Sequence, residues 1–516
     1  MNTGTNRRFE TVTDSEGAYT APLLGIGAYT VEVTAQGFRT YKQDGIRLSV
    51  NQQARVDVTL AVGAVSETVE VTADAAVIET TTSSVGKVVD NKRIRELPLN
   101  TRNVYGLIYL TPGVAGGIGN SHNQVGYSIN GVRGGLMDTL VDGASAAFPT
   151  VNGFHGISVF PSVDAVEEFK VQAQNYSAEF GRSLGSVLNL VYKSGSNDFH
   201  LSAYDFIRNS KLDANNFFNN GRGIKLGSFK RNQFGGVFSG PIKRDRTFFM
   251  TSFEALRQRG FGETLTTVPT ALERRGDFTQ TAAGVGRPIV MYDPLTTGPN
   301  PAGAGSVRTV FPGNLIPSTR FDPVSRNLLR RWPEANQAGT AGTNQNNFYN
   351  SGSARVNTDN FDLRIDHNLT SSQRIFGRYS RRKSFDGPPQ YFAGELGVAE
   401  GRINLNDWGT NAVIDYANTL SPATIWTTRL GFARNKYLYE NNGLGFLPSS
   451  LGLSANLTSI RPPIGRCSRK SAWLDNGASA AAIIDSRGLT PGASSQTSRA
   501  FPVSTPSSLA TKGACC

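Results

Sequence analysis

Residues 359 to 382 read "DNFDLRIDHNLTSSQRIFGRYSRR". Phe361, Leu363 and Ile365 alternate there with Asp362, Arg364 and Asp366. In an extended chain, successive side chains point to opposite faces, so one face is wholly apolar and the other wholly charged. A polar turn separates this run from a second one. Seven segments of this length are predicted as strands: 200–208, 231–240, 246–257, 359–367, 373–382, 407–417 and 423–434. Segments of roughly ten residues joined by polar, often long connections are the signature of barrel strands with an apolar face outward and a polar face inward. In "TIWTTRLGF" Trp426, Leu430 and Phe432 share a face with Thr428, opposite Thr427 and Arg429. Phe248, Phe249, Tyr379, Trp408 and Trp426 are placed to form interfacial girdles. The stretch 258–358, rich in Pro, Gly, Thr and Asn, far exceeds the usual connection of about 4–6 residues and is expected to form long external loops with one further hairpin.

Composition agrees with a mainly β chain. At 516 residues the chain is too long for one core, which rarely exceeds about 250–300. Gly is abundant at 56 residues and charged residues make up only 18 %, a balance suited to strands and turns. The net charge of +12 is scattered as "RR", "KR" and "RRK" and forms no basic face, so no nucleic acid is expected as a partner. Cys467, Cys515 and Cys516 are the only cysteines, which excludes a disulfide framework or a Cys-ligated metal in the body. No apolar run reaches the ~18 residues of a spanning helix, so any membrane crossing falls to strands. "MNTGTNRRFET" has no apolar leader core, so either the chain stays in the cytoplasm or its true start is missing.

Ahead of the barrel-like region the pattern changes twice. Four strands are predicted at the N-terminus: "FETVT" (9–13), "GAYTVEVTA" (27–35), "GIRLSV" (45–50) and "QARVDVTLAV" (53–62). The heptapeptide Glu67-Thr68-Val69-Glu70-Val71-Thr72-Ala73 then stands alone as a short β-former. After it, Asn91 is expected to cap a helix carrying Ile94 and Leu97, and Thr101 a second carrying Val104, Leu107 and Ile108. Asn130-Gly131 and Asp142-Gly143 predict tight hairpin turns. "VLNLVY" (187–192) predicts an apolar strand. Beyond about residue 460 the alternation stops, and 461–516 is expected to be an unstructured tail or translation in a shifted frame.

Two resemblances can be drawn from these stretches. "TDSEGAYTAPLLGIGAYTVEVTAQGF" resembles the carboxypeptidase regulatory-like domain, a small β-sandwich, through Asp14, Gly17 and Tyr19, then Gly27, Tyr29 and Val31, then Gly37 and Phe38. That family has strands ahead of these, so the chain is expected to begin inside the domain. "ETVEVTA", "LPLNTRNVYGLIYLTPGV", "SINGVRGGLMDTLVDG", "VEEFKVQAQNYSAEFGRSLGSVLNLVYKSGSNDFHLSAYDFIRN" and "RNQFGGVFSGPIKRDRTFFMTSFEALR", in this order, resemble the front of a TonB-dependent outer-membrane receptor of the Oar-like type. The resemblance implies a mainly β fold in five parts: a partial sandwich (1–63), a TonB-box segment (64–75), an α/β plug (76–196), the first strands and long loops of a transmembrane antiparallel barrel (197–460), and the tail (461–516). It implies a cell outer-membrane location, TonB of the inner-membrane energising complex as partner, outer-membrane lipid around the barrel, and an unidentified extracellular ligand.

In this resemblance Glu67, Thr68, Val69, Glu70, Val71, Thr72 and Ala73 are the TonB box, which the partner captures as an added strand. The residues alone leave a second reading open, the last strand of the sandwich or the first of the plug. A related barrel has about 22 strands, and seven or eight cannot close one, so the chain is expected to be truncated and unable to transport alone. No enzyme activity and no cofactor are expected. Gly181-Arg182-Ser183-Leu184-Gly185 fits Gly-x-Ser-x-Gly, but the nucleophile elbow needs a helix after it and a strand follows here. No metal-ligand spacing is present. Glu167 and Glu168 are expected to be solvated or turn-end charges, and Arg133, Asp138 and Asp142 to stabilise turns, although the resembled plug apex faces substrate. The alternative is a soluble exported β-rich protein that binds carbohydrate or a surface.

Overall fold

The computed structural model describes residues 1–22, 24–50, 52–66, 68–72, 85–99, 102–118, 124–132, 136–149, 155–174, 176, 181, 183–221, 223, 225–392, 403–421, 424–441, 448–454, 472–488 and 496–503. The N-terminal part holds β1 (Gly27–Val33) and β2 (Thr40–Leu48), paired antiparallel, with Tyr29, Tyr41 and Ile46 buried. β3 (Thr68–Thr72) adds to the other side of β2, in parallel. The heptapeptide is therefore not free-standing in this state. Residues 9–13 and 53–62, expected as strands, form no named strand among the described residues, and only Val62 is paired, in a single antiparallel bridge with Phe38. Val56, Val58 and Leu60 are nevertheless half-buried while Arg55, Asp57 and Thr59 are exposed. Alternation specifies a face, but a strand also needs a hydrogen-bonding neighbour, which the local sequence does not supply.

The next part contains β4 (Val85–Asp90), α1 (Asn91–Glu96) and a 3-10 helix, Val104–Leu110. Both helices form where expected, but their caps differ. Asp90, not Asn91, accepts from the Arg93 N–H, and Asn103 accepts from the Tyr105 N–H, while Thr101 lies outside the described residues. Asn91 instead donates its side-chain amide to the Val166 carbonyl. Then follow β5 (Val114–Ile118), β6 (Gln124–Ile129), β7 (Asp138–Val141), β8 (Ala144–Ser145), β9 (Ala147–Pro149), β10 (His155–Ile157), β11 (Val166–Gln174) and β12 (Val187–Tyr192). They form a five-stranded sheet ordered β4-β11-β12-β7-β8, in which only β12 and β7 run parallel, and a four-stranded sheet ordered β5-β6-β10-β9. Ile94, Leu107, Ile108, Tyr105, Phe169 and Leu190 pack in one buried cluster that reaches Val237 and Met250 of the following sheet. Asn130-Gly131 and Asp142-Gly143 both have positive φ at each residue, but only the second forms a hairpin, joining β7 to β8, while the first is a tight turn leading from one sheet toward the other.

The last part is a single antiparallel sheet of nine strands in chain order: β13 (His200–Asn209), β14 (Lys230–Lys243), β15 (Thr247–Thr266), β20 (Phe348–Asn368), β21 (Gln373–Gly387), β22 (Ile403–Ser421), β23 (Thr424–Asn441), β24 (Ala472–Gly488) and β25 (Gln496–Val503). All seven predicted strands are present and most are longer than predicted. α2 (Phe217–Gly221) lies between the first two. Between β15 and β20 lie the hairpins β16 (Ala282–Gly284) with β17 (Arg287–Pro288) and β18 (Gly298–Pro299) with β19 (Ser306–Val307), and then α3 (Pro323–Arg331). The tail expected to be unstructured contains β24, paired onto β23, and β25, paired onto β24. Edge pairing uses main-chain groups, so a segment without alternation still extends a sheet whose edge is open.

This sheet is inside-out relative to a water-soluble one. Phe253, Phe361, Ile365, Ile414, Trp426 and Leu430 are exposed, whereas Asp362, Arg378, Asn411, Asp415 and Asn435 are each no more than 3 % exposed. Apolar side chains facing out and charges facing in are stable only when the outer medium is lipid. Among the described residues no helix is long and apolar enough to cross a membrane. The girdle expectation holds in part: Tyr379 and Trp426 face outward, but Phe248 points inward and is buried. An outer aromatic cluster forms instead from Phe199, Phe238 and Phe249, with centroid separations of 5.8 and 5.2 Å.

Candidate functional site

Two places combine exposure or charge with an uncommon geometry: the strand ahead of the plug, and the seam between plug and barrel wall. At the first, Thr68 to Thr72 pair one-to-one with Thr40 to Asp44. Lys42 Nζ lies 3.1 Å from Glu70 Oε1 and 3.2 Å from Asp44. The hydrogen bond that Lys42 donates to Glu70 is the main cause raising its ammonium above its ordinary value. The Thr40 hydroxyl donates to the Val65 carbonyl at 2.8 Å, which fixes the chain as it enters β3. Thr68, Glu70 and Val71 are exposed and Val69 is half-buried, so little apolar surface holds the strand in place. Glu67 and Ala73 lie outside the described residues.

At the seam, the Asp142-Gly143 turn presents a carboxylate to the barrel wall. Asp142 Oδ1 accepts from the Tyr192 N–H at 3.1 Å and from Arg364 Nη1 at 2.8 Å. Arg378 Nε lies 2.7 Å from Asp142 Oδ2, an ion pair without the alignment of a hydrogen bond. Arg364 also forks onto Asp366 with two contacts of 2.9 Å and donates to the Tyr192 carbonyl. Arg378 donates to Ser380 at 2.7 Å and to Asn411 at 2.5 Å. The Tyr192 hydroxyl donates to Asp362 at 2.6 Å, and Ser252 to the other oxygen of the same carboxylate at 2.7 Å. One plug carboxylate thus contacts two barrel arginines at a buried seam, Arg364 sharing it with Asp366, and removing it leaves buried charge without its partner.

Neighbouring contacts extend the seam along β22 and β23. Arg429 pairs with Asp415 at 2.7 Å and donates to the Gly143 carbonyl at 3.3 Å. A Cβ on Gly409 would lie 2.1 Å from the Ser158 carbonyl oxygen, so only glycine lets plug and wall approach this closely. Nearer β13, Arg102 pairs with Asp164 at 2.5 Å and stands over the Tyr204 and Phe206 rings at 4.6 and 4.1 Å.

The other predicted residues have structural roles. Asp138 accepts from the Ser145 hydroxyl at 2.8 Å, inside its own hairpin, and Arg133 lies outside the described residues. Ser183 Oγ donates to the Ser186 and Leu136 carbonyls and accepts from the Ser186 N–H, so it closes its own turn before β12. Glu168 corrects the expectation of a solvated charge: it is 1 % exposed and accepts from the Val50 N–H of the sandwich. Burial pushes its carboxyl up to about 7, and the hydrogen bonds from Val50 and Ser49 oppose that rise. Glu167 is partly exposed, 3.9 Å from Arg47. Among the described residues, no three His, Cys, Asp or Glu gather as a metal site. Alternation places Arg364 on the inward face, but neither its pairing with Asp142 nor the part played by Arg378 is visible in the sequence. An arginine on the lumen face of a spanning strand is itself the signal, because such a charge needs a partner.

Comparison with known proteins agrees with this geometry. The family described as outer membrane beta barrel domain matches residues 191–483, and the carboxypeptidase regulatory-like domain matches residues 1–61. The TonB-dependent transporter Oar of Myxococcus xanthus is 30 % identical over 255 residues, which is 47 % of this chain and 23 % of that protein. The chain thus spans about a quarter of the length of that relative. Among solved structures, the outer membrane transporter YddB of Escherichia coli has a TM-score of 0.43 at 11 % identity, covering 78 % of this chain and 44 % of that one. The G324V mutant of the ferric enterobactin receptor PfeA of Pseudomonas aeruginosa has a TM-score of 0.41 at 12 % identity, covering 79 % and 46 %. With more than half of its length matched by that model, the chain belongs to the family described as outer membrane beta barrel domain, its location is the outer membrane, and it is similar over a shared stretch to a TonB-dependent transporter.

Proposed function

We propose that this chain provides the sandwich, box, plug and front wall of a receptor that takes up an unidentified extracellular ligand, energised by TonB. The single observation that carries the reading is the inside-out sheet with a plug fastened to its charged face through Asp142, Arg364 and Arg378. A soluble binding protein has no use for a lipid-facing wall, and an enzyme has no use for a plug held against a lumen. Among the described residues the sheet runs from β13 to β25 without pairing one to the other, so uptake is assigned only to a form in which the wall closes. The domain limits proposed are a sandwich through 63, a box at 64–75, a plug from 76 to 196 and the wall from 197 onward, with 472–503 now counted in the wall.

The box is placed at Glu67 to Ala73, with Thr68, Val69, Val71 and Thr72 as the β-formers a strand-capturing partner needs. The test is binding of the TonB C-terminal domain to the detergent-solubilised chain. Val69→Pro combined with Val71→Pro removes two main-chain donors and is expected to lower affinity at least tenfold. Unchanged binding places the box elsewhere. A chain that stays monomeric in buffer without detergent and does not bind TonB returns the reading to a soluble protein.

A further inference from the structure

We infer that the sandwich is a latch on the box: β2 occupies one main-chain edge of β3, and the partner competes with β2 for that strand. The inference rests on the box reading above. Three observations carry it. The pairing of Thr40 to Asp44 with Thr68 to Thr72 runs without a break over the whole of β3. The Thr40 bond to Val65 and the Lys42 ion pair to Glu70 fasten the same strand from its entry and its middle. The side chains of Thr68, Glu70 and Val71 remain exposed, so the strand is held mainly by main-chain groups, the same groups a strand-capturing partner uses.

The mechanical layout gives the latch a purpose. β2 runs on to Val50, and Val50 is clasped by Glu168 of the plug. A pull on β3 while it is latched therefore reaches the plug through the sandwich and Glu168. After release, the pull passes through the chain that leads directly into β4. Strand exchange between β2 and the partner thus selects which part of the plug is loaded.

The experiment uses the full chain with Cys467, Cys515 and Cys516 changed to Ser, carrying Lys42→Cys and Glu70→Cys. These two residues are register partners on strands spaced about 4.8 Å apart, within reach of a disulfide. The oxidised form is expected to bind the TonB C-terminal domain at least tenfold more weakly than the same protein after reduction. Lys42→Glu, which opposes Glu70, is expected to raise affinity about two- to threefold. Equal binding by the oxidised and reduced forms overturns the latch, since the partner then takes the outer edge of β3. Failure of the disulfide to form overturns it as well, since the pairing is then not populated. The box reading fails separately, through the Val69→Pro, Val71→Pro chain binding as strongly as the unaltered one.

Discussion

Asp142 performs two tasks with separate chemistry. Its backbone holds φ at +50°, which Asn tolerates nearly as well as Asp. Its carboxylate balances Arg364 and Arg378, whose side chains are 10 % and 0 % exposed. Asp142→Asn therefore keeps the turn and removes only the charge, and it is expected to weaken plug docking by about 3 kcal/mol, the lower end for breaking a buried pair. The measurement is hydrogen exchange at the Tyr192 amide, which donates to Asp142 and should lose protection ahead of the β11–β12 ladder. The turn was legible in the sequence because Asp-Gly chemistry is local. Its arginines were not, since 222 residues separate Asp142 from Arg364 and only the fold brings them together.

At the scale of the strand, the outward face is set by the lipid. Ile414, exposed on β22 and paired with Leu430 and Gly377, lies on that face. Ile414→Arg is expected to destabilise the inserted protein by roughly 2–4 kcal/mol, read as a shift in the urea unfolding curve in lipid vesicles. The same exchange at Val12, exposed in the N-terminal part, is expected to change nothing measurable. Alternation made the membrane strands legible for the same reason: Phe361, Leu363 and Ile365 report the face directly. It did not show that β20 begins at Phe348, because "YNSGSARVNT" has no apolar face to report once the strand clears the bilayer. It left Thr68 to Thr72 open between a free segment and the last strand of the sandwich, since a β-former of five residues fits any open edge, and the pairing with β2 agrees with the second.

For the whole molecule, the joint between sandwich and plug is sensitive to pH. The Glu168 carboxyl titrates at about 7 in the folded chain, against 4.5 ordinarily. The folded form holds a proton between those values that the unfolded form has released. Stability from this group is therefore greatest below pH 4.5, declines as pH rises to about 7, and is level above. A gap of that size is at most about 3 kcal/mol. Glu168→Gln is expected to remove the decline between pH 4.5 and 7, seen by comparing the thermal midpoints of variant and unaltered chain in detergent across that range. The change of pattern near residue 64 is visible in the sequence, although β3 beyond it still pairs with the sandwich. The clasp was not, because neither Val50 nor Glu168 carries a local sign of the other.

The charged inner wall also constrains biogenesis. Asp362, Arg364, Arg378, Asn411 and Asp415 are carried into the bilayer on strands whose opposite faces are apolar. A strand that entered singly would expose those groups to hydrocarbon, at a cost of about 2–4 kcal/mol for a charge near the midplane. The strands must therefore insert as a curved group whose concave side already holds water or the Asp142 hairpin. The Asp142 hairpin, lying against that face beside Arg364 and Arg378, then serves to pair the charges during insertion as well as to hold the two parts together.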